Sequence, residues 1–269
     1  MTILQAVILG AIQGLAEFLP ISSSGHLALA EYFFKQETLP ILFDILLHLA
    51  TLAAVCAVFA KRIARLFCVF ARIIARKPKP EDTGDGKMIA ALIGATAVTG
   101  IIGLALKDWV KKLDVRFIPF FFIITGIILI LSSLIKPKKR METPSVTAAL
   151  IVGAAQGIGV IPGISRSGIT ISASVFSGLT RETAGEFSFL LSIPAILAAF
   201  ILELKSADTL FAGTGIAALF AGMITAFIVG FFSLKFLLGL IKKGKLIYFA
   251  FYLIPLGIGL GIYFWGFAA

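Results

Sequence analysis

The sequence predicts an all-α polytopic membrane protein with an inverted-topology repeat, in which each half contains a re-entrant helix-loop-helix hairpin and three transmembrane helices. Three observations predict this fold class. Hydrophobic residues make up 59% of the 269 residues and charged residues only 14%, which is more apolar than a soluble domain requires. The apolar residues lie in stretches long enough to cross a bilayer. A polar motif that begins at Gln13 returns in altered form at Gln156.

Six apolar stretches are each candidates for one spanning helix, because about 20 residues cross the hydrocarbon of a bilayer. In chain order they are residues 45–60, 88–106, 117–135, 187–202, 209–234 and 246–269. Trp109 and Trp265 fall near the ends of stretches, where indole rings prefer the membrane interface. We therefore expect residues 1–269 to form a single membrane domain.

Two further apolar regions, residues 1–34 and 145–180, predict hairpins rather than spans. As one helix, residues 1–34 would be about 50 Å long, which is too long for a single crossing. The region is also too short for two crossings and a turn. Pro20 with the "SSSG" that follows it breaks the first helix near its middle, and "IPGISRSG" breaks the second.

The two breaks form an internal repeat. The segment "QGLAEFLPISSSG" begins at Gln13 and "QGIGVIPGISRSG" at Gln156, a constant shift of 143 residues. The repeats therefore cover about residues 1–140 and 141–269. Three predicted spans lie between the hairpins, and because that number is odd, the hairpins enter from opposite faces. Interrupted helices of such repeats meet near the membrane midplane.

The Lys and Arg residues set the expected orientation. With the N-terminus outside, the cytoplasmic segments hold 17 of the 24 Lys and Arg residues and the outer segments hold 6, while Arg166 lies inside a hairpin. The positive-inside rule then places both termini outside. The same rule accounts for the net charge of +10, so no nucleic-acid partner is predicted.

Three ionisable residues of the hairpins, Glu17, His26 and Arg166, predict a shared polar site. Each costs on the order of 3 kcal/mol in the bilayer centre unless it meets a partner. The helices that start after each break offer free N–H groups to an oxyanion, and the planar guanidinium of arginine fits phosphate oxygens. The residues predicted to bind phosphate are Ser22, Ser24, Ser165, Arg166, Ser167 and Thr170.

The same site predicts phosphate chemistry, because phosphoryl transfer needs mainly positioning and charge neutralisation. Glu17, with Gln13 four residues earlier on the same helical face, would bind Mg²⁺ or Ca²⁺ bridged to a diphosphate. His26 would act as general acid or base, or as the phosphoryl acceptor, and Ser23 is the competing nucleophile. The predicted catalytic set is therefore His26, Ser23, Glu17 and Arg166.

Two further questions stay open at the level of sequence. His48, with Asp44 four residues earlier, either lines the same cavity or forms a hydrogen-bonded pair at a helix end. A transporter or lipid flippase is the rival to an enzyme, because broken helices in inverted repeats are typical of transporters. Hydrolysis is favoured since a nucleophile, a histidine and a glutamate converge, whereas binding alone needs only the arginine and the helix ends.

The motifs "QGLAEFLPISSSGH" and "PGISRSGIT", with the run "EFSFLLSIPAI", resemble the bacterial undecaprenyl-diphosphate phosphatase family, also known as bacitracin-resistance proteins. The resemblance covers the whole chain. It implies a phosphatase of the bacterial inner membrane that removes the terminal phosphate of undecaprenyl diphosphate and so recycles the lipid carrier for cell-wall synthesis. It also implies a homodimer and an active site that opens to the outer face.

The family's functional residues map onto this chain by motif. The resemblance assigns Glu17 and Gln13 to the metal, Ser23 and His26 to the nucleophile and acid/base pair, and Ser165, Arg166 and Thr170 to the phosphate-binding loop. Some members have Glu where this chain has Gln13, so a metal site with two carboxylates is not expected here.

Overall fold

The computed structural model describes residues 1–34, 41–135, 141–206 and 215–267, and these residues form α-helices joined by turns. The helices are α1 (Ile3–Ala16), α2 (Ser23–Phe34), α3 (Ile41–Val58), α4 (Ala60–Ile74), α5 (Thr83–Val110), α6 (Ile118–Leu134), α7 (Val146–Ile158), α8 (Arg166–Phe176), α9 (Arg181–Ser206), α10 (Ile216–Lys242) and α11 (Ile247–Ile262). Within the described ranges the β-structure is one isolated bridge between Met141 and Leu179.

Five helical segments of the described chain are long and apolar enough to cross a membrane. They are Pro80–Val110, Val115–Leu134, Arg181–Leu202, Ile216–Lys242 and Ile247–Gly266. The bent pair α3–α4 would be a sixth if it counts as one span. The prediction of an all-helical, multi-pass membrane protein is therefore confirmed. Residues 209–214, at the start of one predicted span, lie outside the described residues.

The helix pair α3–α4 bends by 79° at Phe59. Beyond the bend, α4 presents arginines to α5: Arg62 and Arg65 each donate a hydrogen bond to Asp85, both at 2.5 Å. The Asp85 side chain is only 8% exposed, so it depends on these partners, because an unpaired buried carboxylate is costly. These ion pairs hold α4 against α5 rather than in line with α3.

Two helices are broken at the places that the sequence predicts. The first break lies between Ala16 and Ser23, and there Ser22 adopts a φ of 71°, which is uncommon for a residue other than glycine. The second break lies between Ile158 and Arg166, and Gly163 within it has a φ of 94°. Both chain reversals therefore use the left-handed backbone region.

Glycines set how closely the broken helices pack. A Cβ atom added at Gly10 of α1 would lie 2.4 Å from the carbonyl oxygen of Gly222 in α10. One added at Gly153 of α7 would lie 2.5 Å from the carbonyl oxygen of Ala95 in α5. Small residues allow such backbone contact between membrane helices. The first helix of each broken pair is thereby held against a long helix, and its end points to the middle of the bundle.

Candidate active site

The two breaks lie against each other. The backbone N–H of Gly163 donates to Ser22 Oγ at 3.1 Å, and Ser167 Oγ donates to the Leu19 carbonyl at 3.5 Å. Thr125 of α6 supports the second break, because its hydroxyl accepts from the Ser165 N–H at 3.2 Å and donates to the Gly163 carbonyl at 3.1 Å. The predicted polar residues of the two segments are thus brought to one place.

Glu17 is the centre of this place. It follows the last residue of α1, and its side chain is 5% exposed. Its Oε1 accepts a hydrogen bond from the Arg166 guanidinium. Its Oε2 accepts from Ser23 Oγ at 2.6 Å and from Gln13 Nε2 at 3.1 Å. The carboxylate is therefore compensated from both breaks, as a buried charge requires.

The contact between Ser23 and Glu17 has the geometry of a nucleophile and its base. A donor–acceptor distance of 2.6 Å is normal for a hydroxyl that donates to an ionised carboxylate. A nucleophilic hydroxyl needs such a base within hydrogen-bond reach, and the base needs a third group to orient it. Here Arg166, on the other oxygen of the carboxylate, is that third group.

The helices α2 and α8 both begin beside Glu17. Ser165 caps α8, because its Oγ accepts from the Gly168 N–H at 3.1 Å and lies 3.2 Å from Ser167 Oγ. At the start of α2, Ser22 Oγ accepts from the Gly25 N–H at 3.3 Å and lies 3.4 Å from Ser24 Oγ. Two helix N-termini with free N–H groups attract an anion.

A hydroxyl-lined cavity of about 160 Å³ continues from this centre toward α9. Its lining residues are Arg166, Ser167, Thr170, Ser188, Phe189 and Ser192. Thr170 Oγ1 lies in hydrogen-bond contact with Ser188 Oγ. Sequence reasoning missed Ser188 and Ser192, although hydroxyls spaced four residues apart in an apolar span point to one face of the helix.

His26 faces away from Glu17. Its Nδ1 lies 2.8 Å from the Ser22 carbonyl oxygen, and its Nε2 lies 2.8 Å from the Tyr252 hydroxyl of α11. The ring also lies 5.0 Å from the ring of Phe122 in α6, centroid to centroid. The imidazole of His26 thus borders the site on the side of α6 and α11.

His48 is the imidazole that faces Glu17, at 3.8 Å from Nε2 to Oε2. Its Nδ1 donates to the Asp44 carbonyl at 3.0 Å. His48 and Asp44 also line a cleft of about 400 Å³ with apolar residues of α3 and α9. Both interpretations that the sequence left open therefore apply, since the pair is hydrogen-bonded and also lines a cavity next to Glu17.

The donor set fits a divalent cation that a substrate helps to hold. Gln13 is fully buried, and its Oε1 has no hydrogen-bond partner among the described residues. This unpaired oxygen lies on the amide that contacts Glu17. The described part of the chain contains no group of three or more His, Cys, Asp or Glu residues that could cage a metal. Mg²⁺ commonly binds one or two protein ligands and completes its shell with phosphate oxygens and water.

The buried site and the apolar helices around it define an integral membrane protein with an internal binding site for an oxyanion. The sequence model of the bacitracin resistance protein BacA family matches residues 6–259. An undecaprenyl-diphosphatase of Treponema denticola is 74% identical over 268 residues and 100% of both chains. Proteins of the same name from Carboxydothermus hydrogenoformans and Desulforapulum autotrophicum are 42% and 41% identical, over 94% or more of each chain. The chain belongs to the bacitracin resistance protein BacA family.

Proposed function

We propose that this protein is a phosphatase that hydrolyses undecaprenyl diphosphate to undecaprenyl phosphate and inorganic phosphate, and so recycles the lipid carrier for cell-wall synthesis. The observation that carries the proposal is the contact of Glu17 with both Ser23 and Arg166 where the two breaks meet. It joins a nucleophile, a base and a phosphate-binding cation inside a membrane protein. The names of the relatives agree with this activity.

In the proposed reaction, Ser23 is the nucleophile. Its Oγ forms a bond to the terminal phosphorus, and its proton passes to Glu17 Oε2, to which the hydroxyl already donates. The bond from phosphorus to the bridging oxygen breaks, and undecaprenyl phosphate leaves with that electron pair. A phosphoserine remains, and the contact with Glu17 is the reason to prefer Ser23 over His26 as the phosphoryl acceptor.

Water completes the reaction. His26 Nε2 takes a proton from the water as its oxygen attacks the phosphoserine, which releases inorganic phosphate and restores Ser23. Arg166, the N-termini of α2 and α8, and the hydroxyls of Ser22, Ser24, Ser165, Ser167 and Thr170 bind the phosphoryl oxygens. These groups stabilise the charge that develops in the transition state.

Mg²⁺ or Ca²⁺ is the proposed cofactor. Glu17 and the unpaired Oε1 of Gln13 would hold the cation together with oxygens of the diphosphate. When bound, the cation would neutralise negative charge on the phosphates. This chain would supply one carboxylate and one amide, so the cation would depend on the substrate for the rest of its ligands.

We also propose that the chain is an inverted repeat of about residues 1–140 and 141–269, each with one re-entrant hairpin and three transmembrane helices. Contacts at the shift of 143 residues support it. Gly10 and Gly153 are equivalent, and each packs its helix onto a long helix of the other half. Ser23 and Arg166 are equivalent as well, and both donate to Glu17.

The proposed setting is the bacterial inner membrane, with the active site open to the outer face, both termini outside, and a homodimer as the working unit. The excess of Lys and Arg in the segments assigned to the cytoplasm supports the orientation. The resemblance to the phosphatase family is the basis for the homodimer.

Phosphate release from farnesyl diphosphate by the purified protein tests the proposed function. We expect release by the wild type, loss of it with EDTA and recovery with Mg²⁺ or Ca²⁺. Ser23→Ala should abolish release, whereas Ser133→Ala is the matched control because that hydroxyl donates to the Leu129 carbonyl within α6. Substrate labelled at the terminal phosphate should leave an acid-stable label on the enzyme, as phosphoserine does. Binding without release would instead indicate a lipid transporter.

A further inference from the structure

Both ring nitrogens of His26 have partners, and these partners define its tautomer. The Ser22 carbonyl oxygen, 2.8 Å from Nδ1, can only accept, so Nδ1 carries a hydrogen. In the neutral ring Nε2 is then an acceptor, and the Tyr252 hydroxyl at 2.8 Å donates to it. The nitrogen that a base needs is therefore the one that Tyr252 holds.

Tyr252 also restricts the plane of the imidazole. The two rings are stacked, with centroids 5.8 Å apart and an angle of 15° between the planes. Phe122 lies at 5.0 Å and 37°. His26 is thus confined by one ring from α6 and one from α11, and only Tyr252 of these two adds a hydrogen bond.

We propose that Tyr252 is a positioning residue for His26, an inference that rests on the proposed phosphatase function. Its hydroxyl keeps Nε2 unprotonated and aimed away from the Ser22 carbonyl until the attacking water takes the place of the hydroxyl. The Tyr252 side chain is able to yield that place because the residue is 45% exposed. A general base works only when its lone pair is already directed at the proton that it takes.

Tyr252→Phe is the variant that tests the proposal, since it removes the hydroxyl and keeps the ring. We expect kcat to fall about five-fold, the rate change that corresponds to loss of one neutral hydrogen bond, with KM unchanged. Tyr248→Phe is the matched control. It makes the same change one turn earlier on α11, on a residue that is 51% exposed, and should leave both constants at wild-type values.

Nitrogen-15 NMR of histidine-labelled protein measures the proposed contact directly. The chain has only two histidines, so His48→Gln leaves His26 as the single labelled ring. We expect Nδ1 to be protonated and Nε2 to resonate as a hydrogen-bonded acceptor. In the Tyr252→Phe, His48→Gln variant, the Nε2 resonance should move downfield to the position of a free acceptor. A proton on Nε2 of His26 in the His48→Gln protein would overturn the proposal without any change at Tyr252.

A double variant tests whether Tyr252 acts through His26. In a His26→Ala background, Tyr252→Phe should cause no further loss of turnover, because residues that act as a unit are not additive. A further five-fold loss there, or an unchanged kcat in Tyr252→Phe alone, would refute the positioning role. If His26→Ala has no measurable turnover, the Nε2 resonance decides. Failure of the wild type to release phosphate would refute the proposed function, and the NMR measurement would still test the contact.

Discussion

Replacing Gly10 by alanine should destabilise the protein by forcing α1 away from α10. The new Cβ would lie 2.4 Å from the Gly222 carbonyl oxygen and 3.1 Å from two further backbone atoms of that residue. Backbone atoms cannot rotate away, so the helices must separate by roughly 1 Å to reach an ordinary contact, and overpacking of this kind typically costs about 1–3 kcal/mol. Gly153→Ala should behave alike, because its Cβ would meet the Ala95 carbonyl oxygen at 2.5 Å.

Gly94 and Gly239 are matched controls within long helices. A Cβ atom at either position would meet nothing within 4 Å. Alanine is the better helix former by about 1 kcal/mol, so these substitutions should leave stability unchanged or raise it.

Thermal unfolding in detergent, followed by circular dichroism, measures the difference. For a chain of this size about 1 kcal/mol corresponds to a shift in Tm of roughly 2–4 °C, so Gly10→Ala should lower Tm by about 2–12 °C. The expected order of Tm is Gly10→Ala below wild type, and Gly94→Ala at or above it. Equal Tm values for the Gly10→Ala and Gly94→Ala variants would refute the argument, since both add the same methyl group to a helix.

Three further predictions concern charged and polar groups. Arg166→Lys should lower kcat/KM by at least ten-fold in the phosphate-release assay, because an ammonium group lacks the planar fork that binds two oxygens; an unchanged value would remove bidentate binding from the mechanism. Gln13→Glu should lower the Mg²⁺ concentration that gives half-maximal activity, because a second carboxylate strengthens a cation site, and an identical titration would exclude Gln13 as a ligand. Asp85→Asn should reduce stability by about 2 kcal/mol through loss of its pairing with Arg62 and Arg65, with kcat unchanged; a stability equal to wild type would mean that these pairs do not hold α4.

The helix breaks and the meeting of Glu17 with Arg166 were open to prediction because their signals are local. A proline and a serine run inside an apolar stretch end a helix, and the apolar lengths fix what crosses a bilayer. The cost of a charge in the bilayer then requires Glu17 and Arg166 to find partners. Each step uses only the sequence near the residues concerned.

The bend at Phe59 and the direction of the His26 ring could not be predicted in this way. The bend depends on Arg62 and Asp85, which pair only after α4 and α5 have packed. The His26 ring is held by Tyr252, which lies 226 residues further along the chain. A serine and a histidine three residues apart suggest a catalytic pair, but rotamers and distant contacts decide where each side chain points.

Glu17 has no acidic counterpart in the second half of the chain, where the same shift of 143 residues leads to Val160. Duplicated architecture thus carries an unduplicated charge: a symmetric frame surrounds a single negative pole. One monomer can accordingly process one headgroup at a time, and any cooperativity between two turnovers would have to arise between separate polypeptides.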